Sequence, residues 1–270
     1  MPNARGKEID NTHLSISQAE RRGFIHRDYI AHCLRWSHVA KYLHEQGRYK
    51  TVDILDIGCG KEHPLLSLLY SSRLIPTTGS YTGIDINQIS LQHTVGRFEH
   101  ELIGKTDVCT WDSGESTFGV IVCFEVLEHV EPDHSFRMLR RIRELLEKEG
   151  VAFISTPCYD PRVGAAGNHV NEMSFTAMQT LLYLAGLTVI NAHGTFASIR
   201  DYQDKLKHVG CQEAFDRLRE YYDTNYLATI FAPLFPEYSR NAIWRVCKAE
   251  CVPGHYISNE AHLHDKLDGI

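Results

Sequence analysis

Apolar positions follow two patterns along most of the chain: continuous apolar runs, and apolar residues at helical spacing. Continuously apolar runs of the kind that form buried strands occur at TVDILDIG (51–58), YTGIDI (81–86), 101–108, FGVIVCF (118–124), VAFISTP (151–157), LTVINAHGTF (187–196) and NAIWRVCK (241–248). Between them, apolar residues at helical spacing predict helices near 27–45, 63–72, 87–97, 134–148 and 174–184. This alternation indicates an α/β fold with a seven-stranded, mostly parallel sheet, helices on both faces and an antiparallel last strand.

Residues 198–238 interrupt the alternation. The segment is mostly helical in pattern and rich in Tyr and Phe, and we interpret it as an inserted lid or acceptor wall. Residues 1–25 are polar and lack a period, which predicts a flexible arm, and residues 251–270 are interpreted as a loose tail. The span between them, 26–250, is predicted to form one domain.

The composition limits the classes of partner. The chain has 270 residues, 43% of them hydrophobic, and a formal net charge of -6. This charge argues against a surface that grips duplex nucleic acid along its length, although a local basic patch remains compatible with it. No apolar run approaches the roughly 20 residues that cross a bilayer, and the eight cysteines form no C-x-x-C pair. We therefore expect a soluble, cytoplasmic protein with reduced cysteines and no membrane partner.

Polar residues collect where the predicted strands end. Asp56, Gly58 and Gly60 end the first strand, and Asp85 and Asp107 end the second and third. Glycines allow a ligand to approach the backbone, and an acid after the second strand can accept both hydroxyls of a ribose. The third glycine of a dinucleotide-binding turn is missing, so a diphosphate fits poorly, whereas an acid beside the turn suits a cationic amine. The pattern favours a nucleoside that carries an amino-acid tail and a sulfonium.

Five segments in this order, ILDIGCG, YTGIDIN, TDVCTWD, VIVCFEVLEHV and AFISTPC, resemble the successive motifs of class I S-adenosylmethionine-dependent methyltransferases. The resemblance covers roughly residues 50–190. Two features depart from the family pattern: the third glycine is absent, and Gly119 stands where many relatives carry an acid.

The resemblance implies a role for each residue of a cofactor site at the carboxyl ends of the strands. Gly58, Cys59 and Gly60 would pass along the methionine part of S-adenosylmethionine, and Asp56 would engage its amino group. Asp85 would bind the ribose hydroxyls and Ile86 would pack on the adenine ring. Asp107 would take the adenine amine, the Val108 backbone would contact the ring edge, and Phe124 and Glu125 would face the methyl-transfer site. The alternatives are that the glycine turn only connects a strand to a helix, with Asp85 as a helix cap, or that the site holds a nicotinamide dinucleotide.

The segment FEVLEHVEP predicts the acceptor side of the site. Glu125, Glu128 and His129 project to one side of a helical turn, and His169, in the loop after the fifth strand, could come near them. A similar E-x-x-E-H with a later histidine occurs in metal-dependent small-RNA 2′-O-methyltransferases, and the segment also resembles quinone-biosynthesis O-methyltransferases. Our candidate catalytic groups are Glu125, His129 and His169, without a metal. Over a metal site we favour the interpretation that Glu128 and His129 cap and pack the following helix, with His129 as a hydrogen-bonded wall residue. A divalent cation on these oxygen and imidazole ligands is the alternative.

The early helix offers His32 and Arg35 for acceptor binding, because an Arg beside the indole of Trp36 can bind a phosphate and stack on a base. The competing interpretation is an ordinary amphipathic helix that buries its aromatic residues and Cys33. The sequence thus predicts a methyltransferase for a small-molecule or nucleotide-like acceptor. The alternatives are an RNA or DNA acceptor, with or without a metal, and a non-catalytic nucleotide-binding or partner-binding protein on the same fold.

Overall fold

The structure is a computed structural model, and it describes residues 27–46, 51–61, 63–71, 78–89, 100–196 and 198–251. The predicted N-terminal arm (1–25), nearly all of the predicted tail (251–270) and most of the helix predicted at 87–97 lie outside the described residues.

The described strands are β1 (Val52–Ile57), β2 (Thr78–Ile84), β3 (His100–Ile103), β4 (Phe118–Phe124), β5 (Leu146–Pro157), β6 (Leu187–Phe196) and β7 (Asn241–Lys248). The described α-helices are α1 (Arg27–Gln46), α2 (Pro64–Ser71), α3 (Pro132–Leu145), α4 (Phe175–Leu184), α5 (Ile199–Tyr202), α6 (Gln212–Leu218) and α7 (Thr224–Phe231). Short 3-10 turns follow β4 (Leu127–His129), α5 (Gln203–Lys205), α7 (Ala232–Leu234 and Pro236–Tyr238) and β7 (Ala249–Cys251).

The strands form one sheet in the order β3-β2-β1-β4-β5-β7-β6. β1 pairs in parallel with β2 and β4, β2 with β3, and β4 with β5, whereas β7 runs antiparallel to both β5 and β6. The predicted seven-stranded, mostly parallel sheet with an antiparallel last strand is confirmed. The order reverses between β1 and β4, so a crevice opens at their carboxyl ends, the usual ligand position in such sheets.

Each face of the sheet carries its own core. Leu55, Ile121 and Ile154 face one side, where they pack against α3 and α4 through Leu139 and Leu182. On the opposite side, buried strand residues pack against α1 and α2, which contribute Val39, Leu43, Leu65 and Leu69. Helices therefore cover both faces, as the continuously apolar strands predict.

Residues 198–238 have a small core of their own, built from Tyr202, Leu206, Phe215, Leu227 and Phe231. Tyr202 also donates a hydrogen bond from its hydroxyl to the Ala228 carbonyl at 2.6 Å, which ties α5 to α7. The helical character of the insertion is confirmed, and its role as a lid stays a prediction.

Several boundaries and one helix face differ from the sequence-based prediction. β2 spans Thr78–Ile84 instead of 81–86, so Asp85 follows the strand directly. β3 ends at Ile103, so Asp107 lies four residues beyond the strand instead of ending it. α3 ends at Leu145 and β5 begins at Leu146, although a helix to about residue 148 was predicted.

On α1 the buried face contains Ala31, Arg35, Val39 and Leu43, whereas Cys33 is exposed. The expectation that Cys33 is a core residue was wrong, because the helix turns its i, i+4 series starting at Ala31 toward the sheet.

No helix in the described part of the chain combines the length and the apolar character needed to cross a membrane.

Candidate active site

The turn after β1 is held by backbone hydrogen bonds from the neighbouring strand. Gly58 and Cys59 both donate from their amides to the Ile84 carbonyl, at 2.8 and 3.2 Å. Gly58 and Gly60 have φ angles of 73° and 66°, in the left-handed region that favours glycine. A Cβ on Gly58 would lie 2.4 Å from a methyl carbon of Val126, which follows β4. Glycine at this position therefore lets the turn after β1 and the turn after β4 approach each other.

Asp85 organises the same turn from the end of β2. One carboxylate oxygen accepts from the Gly60 amide at 3.0 Å and the other from the Asn87 amide at 2.7 Å. The residue is only 7% exposed. Each carboxylate oxygen can accept more than one hydrogen bond, so these contacts leave acceptor capacity for a ribose. The helix that Asp85 would cap in the alternative interpretation falls mostly outside the described residues.

Asp56 is deeper than the rest of the turn. It is 2% exposed, and its carboxylate accepts from the Tyr81 hydroxyl at 2.8 Å. The pKa of Asp56 is raised to about 7, chiefly by burial and also by nearby Asp85, while the Tyr81 hydrogen bond opposes the shift. The structure thus shows Asp56 bound to Tyr81 beneath the turn, and its contact with a cofactor amine stays a prediction.

Asp107 lies in the loop beyond β3 and is pinned by two groups. One carboxylate oxygen accepts from the Cys109 amide at 2.9 Å, and the other lies 3.3 Å from Nε2 of His134. Arg137 donates to Nδ1 of His134 at 3.0 Å, so the His134 proton sits on Nε2 and points at Asp107. The Asp107, Cys109 and His134 cluster is therefore a hydrogen-bonded chain with both imidazole nitrogens engaged, which suits it poorly to a metal.

The two apolar residues predicted beside the adenine differ in exposure. Ile86 is 70% exposed, whereas Val108 is 2% exposed. An isoleucine of this exposure directly after Asp85 offers an apolar surface at the crevice, and the adenine contacts of both residues stay predictions.

Phe124 ends β4, and Glu125 follows it with a left-handed φ of 56°. The Glu125 carboxylate pairs with Nη1 of Arg35 at 2.8 Å, and the side chains are 12% and 5% exposed, respectively. Ser155 and Asn241 also donate to this carboxylate. Arg35 is thus brought to the site, but as a partner of Glu125. The side chain of His32 lies outside what the structure describes, so its acceptor role stays a prediction.

The loop after β5 folds back onto the 3-10 turn that follows β4. Val170 and Asn171 donate their amides to the Glu128 carbonyl at 2.9 and 3.1 Å. The Asn171 side chain donates to the Leu127 carbonyl at 3.3 Å and to the Ser135 hydroxyl at 2.9 Å. These bonds carry His169 to His129, and the two rings lie edge to face at 4.8 Å between centroids.

Both imidazoles have a defined tautomer. Nδ1 of His129 donates to the Asn168 carbonyl at 3.1 Å, and Nδ1 of His169 donates to the Glu172 carboxylate at 2.6 Å. A neutral imidazole with its proton on Nδ1 carries a lone pair on Nε2. Each ring can therefore accept a proton or bind a cation through Nε2.

Glu128 completes this group. One ligand atom from each of Glu128, His129 and His169 lies within 4.8 Å of the other two. Glu128 is 1% exposed, and its Oε2 has no hydrogen-bond partner among the described residues. Burial raises the pKa of Glu128 well above its ordinary range, and the Glu125 carboxylate raises it further. Glu125 is not a member of this group, and its carboxylate is bound to Arg35, Ser155 and Asn241.

The sequence-based prediction overlooked the residues that orient the predicted ones. These are Tyr81, His134, Ser155, Asn171, Glu172 and Asn241. For Asn171 and Glu172 the signal was a run of polar side chains, NHVNE, in a loop after a buried strand. For Tyr81, Ser155 and Asn241, which sit in strands, the sequence carries no comparable signal.

The structural and sequence comparisons agree on the type of domain. A family model described as a methyltransferase domain matches residues 24–213. The 1,6-didemethyltoxoflavin-N1-methyltransferase of Burkholderia thailandensis, with 1,6-didemethyltoxoflavin and S-adenosylhomocysteine bound, is 16% identical, with a TM-score of 0.50 over 79% of this chain and 78% of that one. The magnesium protoporphyrin IX methyltransferase of Synechocystis PCC 6803, with S-adenosylhomocysteine bound, is 11% identical, with a TM-score of 0.53 over 87% and 89%.

An S-adenosylmethionine-dependent methyltransferase of Clostridium acetobutylicum is 11% identical, with a TM-score of 0.50 over 79% of this chain and 91% of that one. At these identities the likeness establishes the fold. No relative among curated proteins matches the sequence.

Proposed function

The chain belongs to the class I methyltransferase family, and on this premise we propose that it transfers a methyl group from S-adenosylmethionine to a small-molecule or nucleotide-like acceptor. The observation that carries the proposal is the crevice at the carboxyl ends of β1 and β2. There the Gly58 to Gly60 turn, the Asp85 carboxylate and the exposed Ile86 side chain lie together. They suit, in order, the methionine part, the ribose and the adenine of this cofactor.

Methyl transfer from a sulfonium is an in-line displacement, so the protein must hold the nucleophile roughly 3 Å from the methyl carbon and, for a hydroxyl, remove its proton. We assign the removal of that proton to His129 and His169. Their Nδ1 atoms are held by Asn168 and Glu172, which leaves Nε2 as the basic atom of each ring. A neutral imidazole is a suitable base near neutral pH.

A second candidate function is metal-assisted methylation of an RNA or DNA hydroxyl. It is favoured by the buried Oε2 of Glu128, which lacks a partner among the described residues and lies in a group with His129 and His169. One carboxylate and two imidazoles, one of them backed by the Glu172 carboxylate, fit a divalent cation such as Mn²⁺. A cation there would polarise the acceptor hydroxyl, while Glu172 and Asn168 would hold the imidazoles in place.

A labelled-methyl transfer assay tests the proposal and separates the two candidates. The purified protein receives S-adenosylmethionine labelled in the methyl group, with separate pools of nucleosides, RNA, DNA and metabolite extract, each with and without EDTA. We expect label in the nucleoside or metabolite pool, unaffected by EDTA. His129→Gln and His169→Gln should each lower transfer by about 100-fold, a typical loss for a general base. His44→Gln, which replaces an exposed histidine near the end of α1, should leave transfer unchanged.

Label in RNA or DNA that EDTA abolishes and Mn²⁺ or Mg²⁺ restores would instead support the metal-assisted candidate. Transfer that persists in EDTA would remove that candidate. If the cofactor binds but no pool takes label, the non-catalytic alternative gains support. If neither histidine variant lowers transfer, the proposed proton acceptors are wrong.

A further inference from the structure

The Glu125 carboxylate is surrounded by donors from three separate elements. Arg35 Nη1 of α1 lies 2.8 Å from Oε1, and the Ser155 hydroxyl of β5 donates to the same oxygen at 2.8 Å. Nδ2 of Asn241, the first residue of β7, lies 2.9 Å from Oε1 and 2.8 Å from Oε2. The Arg35 guanidinium also lies 3.4 Å from the Ser155 hydroxyl. This arrangement fixes the carboxylate and occupies both of its oxygens with donors.

The backbone of Glu125 is also fixed by its surroundings. Its φ of 56° is unusual for a residue with a side chain, and its amide donates to the Ser155 carbonyl at 3.0 Å. A non-glycine residue keeps such a conformation only when its surroundings impose it. Asn241 is itself oriented, because its side-chain oxygen accepts from the Thr195 hydroxyl at 2.8 Å. The network thus extends from β4 through β7 to β6.

Arg35 brings α1 into the network. It lies on the buried face of the helix, between Ala31 and Val39, and the next residue, Trp36, packs its ring on Phe124 at 4.8 Å between centroids. Phe124 and Glu125 are consecutive residues, and we call them the Phe124–Glu125 step. Helix α1 contacts this step through an aromatic contact with Phe124 and an ion pair with Glu125. A buried ion pair is a poor source of stability, since both charges must be desolvated, but it fixes one geometry strongly.

We infer that the Arg35 and Glu125 ion pair is a clasp that fastens α1 over the carboxyl ends of β4 and β5 and the amino end of β7, and that it holds the Phe124–Glu125 step in place beside the cofactor. In this assignment Arg35, Ser155 and Asn241 are positioning residues and Glu125 is their anchor. The assignment competes with the predicted roles of Glu125 as a catalytic group and of Arg35 as an acceptor ligand. It rests on the proposed function only in placing the cofactor beside this step.

The clasp implies that docking of α1 and binding of the cofactor are coupled. A cofactor that needs the Phe124–Glu125 step in its fixed conformation binds less well when α1 is loosened, and binding in turn protects α1 from opening. In this assignment Arg35 acts on the cofactor through Glu125, so losing either partner should remove the same contribution.

The first test uses hydrogen exchange of the full chain without cofactor. Arg35→Met keeps much of the apolar bulk of the side chain and removes its charge, and Lys41→Met removes an exposed charge from the same helix. We expect exchange of α1 amides to rise at least tenfold in Arg35→Met and to stay unchanged in Lys41→Met. Amides of α3, on the opposite face of the sheet, should stay protected in both. Asn241→Ala, which leaves the ion pair in place, should loosen α1 less and serves as the second variant if Arg35→Met does not fold.

The second test is a double-mutant cycle on the affinity for S-adenosylhomocysteine. We expect Arg35→Met and Glu125→Gln each to weaken binding by about fivefold to tenfold, and the double variant to be no weaker than either single one. If the losses of affinity in the two single variants multiply in the double variant, the clasp is overturned. It is also overturned if hydrogen exchange of the α1 amides is unchanged in both Arg35→Met and Asn241→Ala. An equal rise of exchange in α1 and α3 would mean that the pair is only a general stabiliser. The exchange test needs no cofactor, so its outcome stands even if the proposed function fails.

Discussion

Gly58 sits at the closest approach between the two turns that frame the crevice. Its φ of 73° lies in a region that costs residues with a side chain about 1–2 kcal/mol. A Cβ would also fall 2.4 Å from Val126, whose branched side chain has little rotamer freedom. The position therefore needs glycine for conformation and for space.

Replacing Gly58 by alanine should separate these two requirements. Gly114→Ala is the matched control, since Gly114 has a φ of 60° and nothing within 4 Å of its Cβ position. We expect both variants to lose about 1 kcal/mol of unfolding free energy in denaturant titrations, and Gly58→Ala to lose at least as much again. Only Gly58→Ala should weaken S-adenosylmethionine binding, by tenfold or more. Equal stability and equal affinity in the two variants would show that the turn does not depend on this approach.

Single residues differ in how well the sequence predicts their surroundings. Gly58, Gly60 and Asp85 were predicted as one turn because the motif ILDIGCG and the acid of YTGIDIN are local patterns. The partners of Glu125 could not be predicted, because Arg35, Ser155 and Asn241 are separated from it by 90, 30 and 116 residues. Such contacts depend on strand order and helix rotation, which a local pattern does not determine.

α1 is fastened at a second place, on β6. The ring of His38 stacks on the ring of His193 with centroids 4.3 Å apart and planes 14° from parallel. Lys41 and Arg245 face the same pair. Burial, together with the smaller effects of His193, Lys41 and Arg245, lowers the pKa of His38 to about 4. Burial, Arg245 and Lys41 also lower the pKa of His193. The stack therefore suits two neutral rings.

The stack should make the stability of the protein depend on pH. Between about pH 4 and pH 6.5, that is, between the lowered pKa of His38 and the ordinary pKa of a histidine, the folded protein binds fewer protons than the unfolded chain. The contribution of the His38–His193 stack to the free energy of unfolding is therefore complete above pH 6.5 and is lost as the pH falls toward 4. After allowance for partial exposure we expect His38 to account for about 1–2 kcal/mol of the loss.

Denaturant titrations at pH 7.5 and 5 measure this effect. The unfolding free energy of the wild type should fall more between the two values than that of His38→Gln, whereas His44→Gln, an exposed histidine on the same helix, should behave like the wild type. A pH dependence that is the same in His38→Gln would rule the stack out as its source.

Helices and strands were predicted well where the hydrophobic pattern is periodic. Segments whose conformation depends on tertiary contacts were predicted poorly. β4, β6, β7 and α4 have the predicted bounds, because they are strongly apolar or carry a clear cap such as Ser174. The inward fold of the loop around His169 was left open by the sequence, since it depends on Val170 and Asn171 meeting Glu128 across 42 and 43 residues. That loop determines whether His169 belongs to the site, so the acceptor side was the least predictable part.

At the scale of the molecule, the fold explains why residues from distant parts of the chain meet. The reversal of strand order between β1 and β4 places the ends of β1, β2, β4 and β5 along one edge of the sheet. Most of the residues proposed to bind the cofactor follow β1, β2 and β3, whereas His129 and His169 follow β4 and β5. The α/β alternation was enough to predict that polar residues from several strands meet at this edge, because ligands of open parallel sheets collect there.

The central claim is that this edge binds S-adenosylmethionine through Asp85, and titration calorimetry tests it most directly. Asp53→Asn is the matched control, because Asp53 lies near the opposite end of β1 and accepts from Ser80 at 2.9 Å. We predict that the wild type and Asp53→Asn bind S-adenosylmethionine and S-adenosylhomocysteine equally well, while Asp85→Asn binds both roughly 10- to 100-fold more weakly, the loss expected for hydrogen bonds to a charged group. Failure of the wild type to bind either molecule, or equal binding by Asp85→Asn, would contradict the account.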